Sequence, residues 1–432
     1  MNSQPGPRRA GSLNPAFNDG HVTLDHIASE AQVVAMELTS EGGLLVLSKR
    51  LRAGFDVSKF TSEGKLDLTF AQGSGWFHEN QSGVLAGFHL LASGHFIIFL
   101  HQGDVLMVSR YGADGWLDTN YAIGGRQQFH ISEVIGGSGA HSHSAHGVHG
   151  SPEPRAIAPH SPGVAPRAVF SVSSASHLYL VLTVRWDNGD EKPAVVRLNA
   201  NGFFDTSFHG TGSFIVAMTN GVESCHAQQA VVQAAAGGSS QIVLLVAALP
   251  PSTLAGNKYL LRVGERRQDF EFGTDGYTEI EEGTRVEPHD LWGDENSLRV
   301  IGSKTFDNRR YAVVIGFTAN GKADQDFNKG EPVRVILEPD SAYAEHNIFY
   351  QGDFYGNPDA RMVFAAILSG NRVAAVRLLP IGAVDQAFGE EGIAAYASDD
   401  RNHYPVRLQV RKTADHDVII GHHQNIYWLL GH

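Results

Sequence analysis

The chain has 432 residues, of which 42% are hydrophobic and 18% charged, with 48 glycines and a net charge of −13 when its 22 histidines are counted as neutral. That balance excludes a disordered or coiled-coil chain, and an acidic average surface without a long Lys/Arg run excludes nucleic acid as a partner. The start, Met1 to Pro7 followed by Arg8 and Arg9, lacks the apolar stretch of a secretory signal, and no run approaches the roughly 18 apolar residues of a membrane span. Cys225 stands alone, so no internal disulfide is possible. The expectation is no membrane span and a cytoplasmic location, or export by a route without an N-terminal signal.

In chain order, the first element is a phrase, G-S-L-N-P-A-F-N-D-G from Gly11. Short β-branched or aromatic runs follow it. They are His21 to Asp25, Gln32 to Thr39, a turn at Ser40 to Gly43, Leu44 to Lys49, and Asp56 to Ser62 leading into a second phrase, K-L-D-L-T-F-A-Q-G-S-G from Lys65. Runs bounded in this way by Gly, Asn, Asp and Ser read as antiparallel strands of a meander. The scheme recurs at Gly87 to Leu91, His95 to Leu100 and Leu106 to Tyr111, and again at Val406 to Arg411, Asp417 to His422 and Ile426 to Leu430. Further phrases begin at Trp116, Phe203, Gln268, Ala323 and Val384. Their central aromatics, Phe17, Phe70, Tyr121, Phe208, Phe272, Phe327 and Phe388, are separated by 53, 51, 87, 64, 55 and 61 residues.

A period of this length, with four strands in each copy, predicts a single all-β domain: a seven-bladed β-propeller of four-stranded antiparallel blades. The blades fall at about 27–79, 80–133, 134–216, 217–281, 282–335, 336–396, and 397–432 together with 20–25. The last copy is one strand short and the N-terminus carries one strand too many. The N-terminal strand is therefore expected to complete the last blade and close the ring, which leaves no open edge at that joint.

The phrase itself reads as structural. Its terminal glycines accept φ > 0, its Asp can bond backbone N–H groups two residues on, and its aromatic fills the space between blades. The other reading makes Asp67, Asp118, Asp205, Asp269, Asp324 and Asp385 metal ligands or catalytic acids, yet a catalytic group is needed once and not in every blade. The pattern G-x-L-D-x-x-F-G-x-x-G followed by a meander resembles the delta-60 repeat family of bacterial β-propellers, over nearly the whole chain. Asn14 and Tyr121 depart from it, and the inner turns at 40–43, 92–95 and 414–417 depart from that family's P-D-G-K-like form. The resemblance implies the fold and carries over no catalytic residue.

Function in a propeller is expected on the face where the loops between blades converge around the axis. Four successive loops there carry a histidine beside a carboxylate: His226 with Glu223, His289 with Glu287 and Asp290, His346 with Glu345, and His403 with Asp400; Asp25 and His26 make a further pair. His226, His289, His346 and His403 are the candidate catalytic groups. Neutral imidazoles at His289, His346 and His403 could hold a divalent metal, the one cofactor these residues suggest, and a metal there would activate water. The alternative is polar loop histidines satisfied by water. The 87-residue interval places a Gly/Ser/Pro/His-rich insertion at 136–166, a flexible segment whose His141 and His143, with His146, His149 and His160, could also chelate a metal or titrate near neutrality.

Trp186, Trp292, Tyr343 and Tyr404 are candidate ligand-binding residues on the same face, able to stack on a sugar or a peptide. No nucleophile elbow, P-loop or dinucleotide fingerprint is present. The reading is a non-catalytic scaffold that binds a protein or small-molecule ligand on the inter-blade-loop face. The alternatives are a metal-assisted lyase or hydrolase using the histidines, and a glycan-binding module.

Overall fold

The computed structural model describes residues 10–27, 31–50, 54–81, 83–102, 105–130, 155–156, 169–172, 177–185, 190–218, 222–234, 240–249, 256–280, 286–306, 309–337, 349–354, 361–368, 372–397, 407–410, 417–422 and 424–431. After β1 (His21–Thr23), the chain makes seven antiparallel sheets in succession. Blade 1 holds β2 (Gln32–Leu38), β3 (Leu44–Lys49), β4 (Phe55–Phe60) and β5 (Trp76–Glu79). Blade 2 holds β6 (Val84–Leu90), β7 (Phe96–Gln102), β8 (Val105–Tyr111) and β9 (Arg126–His130). Blade 3 holds β10 (Arg155–Ala156), β11 (Val169–Val172), β12 (Leu178–Arg185), β13 (Glu191–Leu198) and β14 (Ser213–Ile215). Blade 4 holds β15 (Cys225–Ala234), β16 (Ser240–Ala248), β17 (Lys258–Val263) and β18 (Tyr277–Glu279).

Blade 5 holds β19 (Val286–Gly293), β20 (Ser297–Phe306), β21 (Arg309–Thr318) and β22 (Val333–Val335). Blade 6 holds β23 (Phe349–Phe354), β24 (Met362–Leu368), β25 (Arg372–Leu378) and β26 (Ile393–Ala397). Blade 7 holds β27 (Arg407–Val410), β28 (Val418–His422) and β29 (Asn425–Leu429), and β1 completes it. His21 pairs with Tyr427, Val22 with Ile426 and Thr23 with Asn425, so the ring closes through the N-terminal strand as the repeat count requires. Within 136–166, only Arg155 and Ala156 are described; they pair with Arg185 and Val184 on the edge of β12 that also carries β11.

Each central strand is apolar on both sides because both sides are buried. Leu44 and Val46 of β3 pack into the core between blades 7 and 1, while Leu45 and Leu47 pack between blades 1 and 2. The hydrophobic core is thus divided into slabs, one at each of the seven seams. This explains unbroken runs such as F-I-I-F-L in β7 and V-F-A-A-I-L in β24, where period-2 alternation would have signalled one wet face.

The repeated phrase joins the third and fourth strands of its blade and fastens that blade to the next. The residue after each aromatic has a positive φ: Asn18, Ala71, Ala122, His209, Gly273, Asn328 and Gly389. That left-handed turn aims its N–H at the neighbouring blade. Asn18 donates to Glu63, Ala71 to Asp114, His209 to Glu265, Gly273 to Asn320, Asn328 to Ile381, and Gly389 to Ala10. Phe17, Phe70, Tyr121, Phe272 and Phe327 lie against the glycine of the same neighbouring turn; at Gly202, with φ +82°, a Cβ would stand 2.3 Å from the Tyr121 ring.

The phrase carboxylate has two structural duties. One oxygen caps the turn, as where Asp118 accepts from the Asn120 amide at 3.1 Å and Asp385 from that of Ala387 at 3.1 Å. The other pairs with a cation from the third strand: Lys59 with Asp67, Arg110 with Asp118, Arg197 with Asp205, Arg262 with Asp269, and Arg377 with Asp385. The guanidinium then lies over the phrase aromatic, 4.6 Å from the Tyr121 and Phe388 centroids and 5.1 Å from that of Phe272. Burial opposes the charge of Asp118 and Asp205, but hydrogen bonds from Arg110 and Asn120, and from Ser207 with the Arg197 charge, hold both carboxyls below their usual range.

Two blades vary this unit and keep its shape. In blade 5 the third strand has Gly316, and Arg299 from the paired position on β20 fills the space, bonding Asp324 at 2.8 Å and covering Phe327 at 4.4 Å. In blade 7 Trp428 replaces the cation and packs on Phe17 with tilted rings, centroids 4.4 Å apart. Its indole N–H and the Asn14 amide both donate to Asp417, which explains Asn14 in place of the usual Asp.

Buried and half-buried histidines give the fold an acid limit. Burial pushes the imidazoles of His101, His26 and His209 below their ordinary value of 6.5. The unfolded chain therefore binds more protons than the folded one below that value, so their contribution is complete above about pH 6.5 and declines as the pH falls through it. The unfolding temperature is expected to drop between pH 7 and pH 5, and His101→Leu to flatten that dependence in a pH series of thermal melts. An unchanged pH profile in His101→Leu would contradict the assignment.

Candidate functional site

The innermost strands β2, β6, β11, β15, β19, β23 and β27 touch their neighbours around the axis, and each has one edge that pairs with no other strand among the described residues. Side chains from adjacent blades satisfy parts of that edge. Thr183 accepts from the Ala227 amide at 3.1 Å, and Gln229 donates to the His289 carbonyl at 2.9 Å. Asp290 accepts from the Gly352 amide at 3.1 Å, and Gln351 from that of Leu408 at 2.9 Å. Such bonds make each innermost strand a rigid wall for its neighbour.

Five of these strands carry a β-bulge at one level. The extra residue is Val34 in β2, Ala86 in β6, Gln228 in β15, His289 in β19 and Tyr350 in β23. A bulge re-aims side chains and interrupts pairing, and it recurs next to functional sites. The residue that follows each is Ala35, Gly87, Gln229, Asp290 and Gln351. At this level the sequence of blades 1 and 2 has the pairs Val34–Ala35 and Ala86–Gly87, whereas that of blades 4, 5 and 6 has Gln228–Gln229, His289–Asp290 and Tyr350–Gln351. The His289 and Tyr350 rings face each other across a blade seam, with centroids 5.7 Å apart. Burial lifts the Tyr350 hydroxyl above its ordinary range, so it stays protonated and able to donate. The arc sets amide, imidazole and phenol groups on three adjacent walls, beside the Asp290 carboxylate.

The sequence-predicted residues fall at different depths. His226 is the second residue of β15, half-buried and paired with Ala247. His289 lies at the bulge of β19, the level of Gln228, two residues deeper into the fold than the level of His226. Both belong to strands and not to loops. Glu287, level with His226, pairs with Arg310, while both Asp290 oxygens accept backbone amides, from Leu291 and Gly352. His26 bonds Ser58 at 2.8 Å and lies edge-on to Phe60 and Trp76, over the outer half of blade 1 and away from the innermost strands.

Trp292 requires a correction. It lies near the far end of β19, beside the turn at Asp294, because the chain has already crossed from the inter-blade-loop face by that point; it packs on the slab between blades 5 and 6. His346, His403, Trp186, Tyr343, Tyr404, His141 and His143 lie outside the described residues. Among the described residues, no three His, Cys, Asp or Glu side chains are grouped closely enough to hold a metal ion, and no helix is long and apolar enough to cross a membrane. Cys225 is buried, and burial pushes its thiol up to about 12.

No family model matches the chain, and no curated protein matches it. Among solved structures, it is similar to the extracellular domain of the putative hybrid two-component system BT4673 from B. thetaiotaomicron, at 10% identity and a TM-score of 0.38, covering 93% of this chain and 38% of that one. It therefore spans well under half of that protein's length. It is also similar to a mutant of AofleA from Arthrobotrys oligospora, at 8% identity and a TM-score of 0.40, covering 86% of this chain and 88% of that one.

Proposed function

We propose that the protein is a binding scaffold that carries out no reaction of its own and holds a protein or small-molecule ligand at the axis, on the face of the inter-blade loops. The observation that carries this reading is the one-sided polar arc at the bulges of β15, β19 and β23, facing apolar or small residues at the bulges of β2 and β6. Amide, imidazole and phenol groups on adjacent strands suit a ligand rich in hydroxyl or amide groups with one less polar side. Engagement of Asp290 by two backbone amides and of Glu287 by Arg310 favours binding over metal-assisted hydrolysis, which would call on those carboxylates. The phrase, with its Asp, aromatic and glycines, supports grouping the chain with the delta-60 repeat propellers.

The test is a thermal-shift screen of sugars, nucleosides and short peptides against the native protein and the variant Gln228→Ala/His289→Ala/Tyr350→Ala. Compounds that raise the native melting temperature are expected to lose that effect in the variant. Hits that stabilise both proteins equally would remove the arc from the site.

A further inference from the structure

On the opposite face, where the phrases lie, a cavity of about 310 Å³ opens between blades 1 and 2, lined by the inner turn residues Glu37 to Glu41, by Leu45, Lys59, Leu90, Leu91, Phe96 and Ala113 among others. At other seams a guanidinium reaches across to a carbonyl in the next blade's turn. Arg110 donates to Ala200 at 3.0 Å, Arg262 to Ala319 at 2.8 Å, and Arg377 to Gly431. Ala113 holds the place of Ala200 and Ala319 in blade 2's turn, but the blade 1 cation is Lys59, which is drawn to Asp67 at 2.9 Å and to Glu41 at 3.8 Å.

A second difference points the same way. The residue before the second strand sends an imidazole or guanidinium towards the phrase carboxylate in three blades: His95 to Asp118 at 3.6 Å, His177 to Asp205 at 3.0 Å, and Arg361 to Asp385 at 3.7 Å. In blade 1 that residue is Gly43, where a Cβ would stand 2.3 Å from the Phe60 carbonyl oxygen, so no side chain fits. Blade 1 thus has one small ammonium where blades 2, 4 and 6 have a planar fork, with Glu37 and Glu41 at the rim and Leu38, Leu45, Leu90 and Phe96 as an apolar wall.

We propose that this cleft binds a guanidinium group on an aliphatic stem, which takes the place that Arg110, Arg262 and Arg377 occupy at their seams. The volume is at the low end of the roughly 300–1,000 Å³ of ligand pockets, so the group enters end-on and little else is enclosed. A fork of N–H donors suits turn carbonyls and carboxylates in a way that a lysine ammonium cannot copy. The chemistry is shared by a free alkylguanidine and by an arginine of a polypeptide.

The test is calorimetric titration of the full chain with n-butylguanidine, with its neutral isostere n-butylurea, and with N-acetyl-Ala-Arg-Ala-amide. Saturable binding of the guanidine, at least tenfold tighter than the urea, is expected. Lys59→Arg should fill the cleft from within, abolish that binding and raise the unfolding midpoint; Glu41→Gln, on an exposed turn, should weaken binding several-fold without unfolding the chain. Tighter binding of the peptide than of n-butylguanidine would assign the cleft to a polypeptide arginine, and equal binding to a small molecule. Equal affinity for n-butylurea, or unchanged binding in both variants, would overturn the proposal.

Discussion

Replacing Arg377 with alanine is expected to cost about 3–5 kcal/mol of folding stability, a large share of what holds any domain together. The Arg377 side chain is 2% exposed, bonds Asp385 at 2.8 Å, covers Phe388 at 4.6 Å and reaches the Gly431 carbonyl at the edge of blade 7. Its removal leaves the buried Asp385 carboxylate with only the more distant Arg361 guanidinium, at 3.7 Å, and frees a seam. Arg110→Ala should cost less, because that side chain is 18% exposed and water can replace part of what is lost. The double variant Arg377→Met/Asp385→Leu should recover part of the loss by removing the stranded charge, though not all, since Asp385 also caps the Ala387 amide. Guanidinium-chloride midpoints of the four proteins check this order; equal midpoints for Arg377→Ala and the native chain would show that the unit is decorative.

Deleting residues 1–24 is expected to have the larger consequence, loss of a cooperatively folded monomer. The segment supplies β1, and it also runs beside β29, where Gly11 donates to Leu430 at 2.6 Å, Asn14 to Trp428 at 2.7 Å, and Leu430 to Ser12 at 2.8 Å. It fastens two seams at once: Gly389 of blade 6 donates to Ala10, and Asn18 donates to Glu63 of blade 1. Phe17, Val22 and Leu24 are buried in or beside the slab between blades 7 and 1. Without them β29 becomes an open edge able to pair with another chain. Size-exclusion chromatography should show aggregates, and a peptide spanning residues 8–27 supplied in trans should restore the monomer. A truncated chain that stays monomeric with an unchanged melting temperature would contradict ring closure as a source of stability.

The fold was legible because the phrase repeats and because its chemistry is local. The aromatic, the glycines and the Asp that caps its own turn all act within about ten residues, and the surplus N-terminal strand matches the missing last one. The cation partner was missed although it leaves a trace. Lys59, Arg110, Arg197 and Arg377 each stand eight residues before the phrase Asp, a spacing that places them on the adjoining strand. Blade 5 hides even that trace, since Arg299 comes from the neighbouring strand opposite Gly316.

The candidate site was less legible. A bulge is one inserted residue with no composition of its own, so Gln228, His289 and Tyr350 do not announce that they share a level. Counting along the sequence put His226 and His289 together as loop histidines, while strand register separates them by two residues. The role of Asp290 was equally hidden, because its partner Gly352 lies 62 residues away in the next blade.

The most direct measurement of the central claim is a crystal structure of the native protein soaked with a hit from the thermal-shift screen. Ligand density within hydrogen-bonding distance of Gln228, His289 or Tyr350 is the expected result. Density confined to the outer strands or to the phrase face, with the arc holding only water, would contradict the assignment of function to the innermost strands.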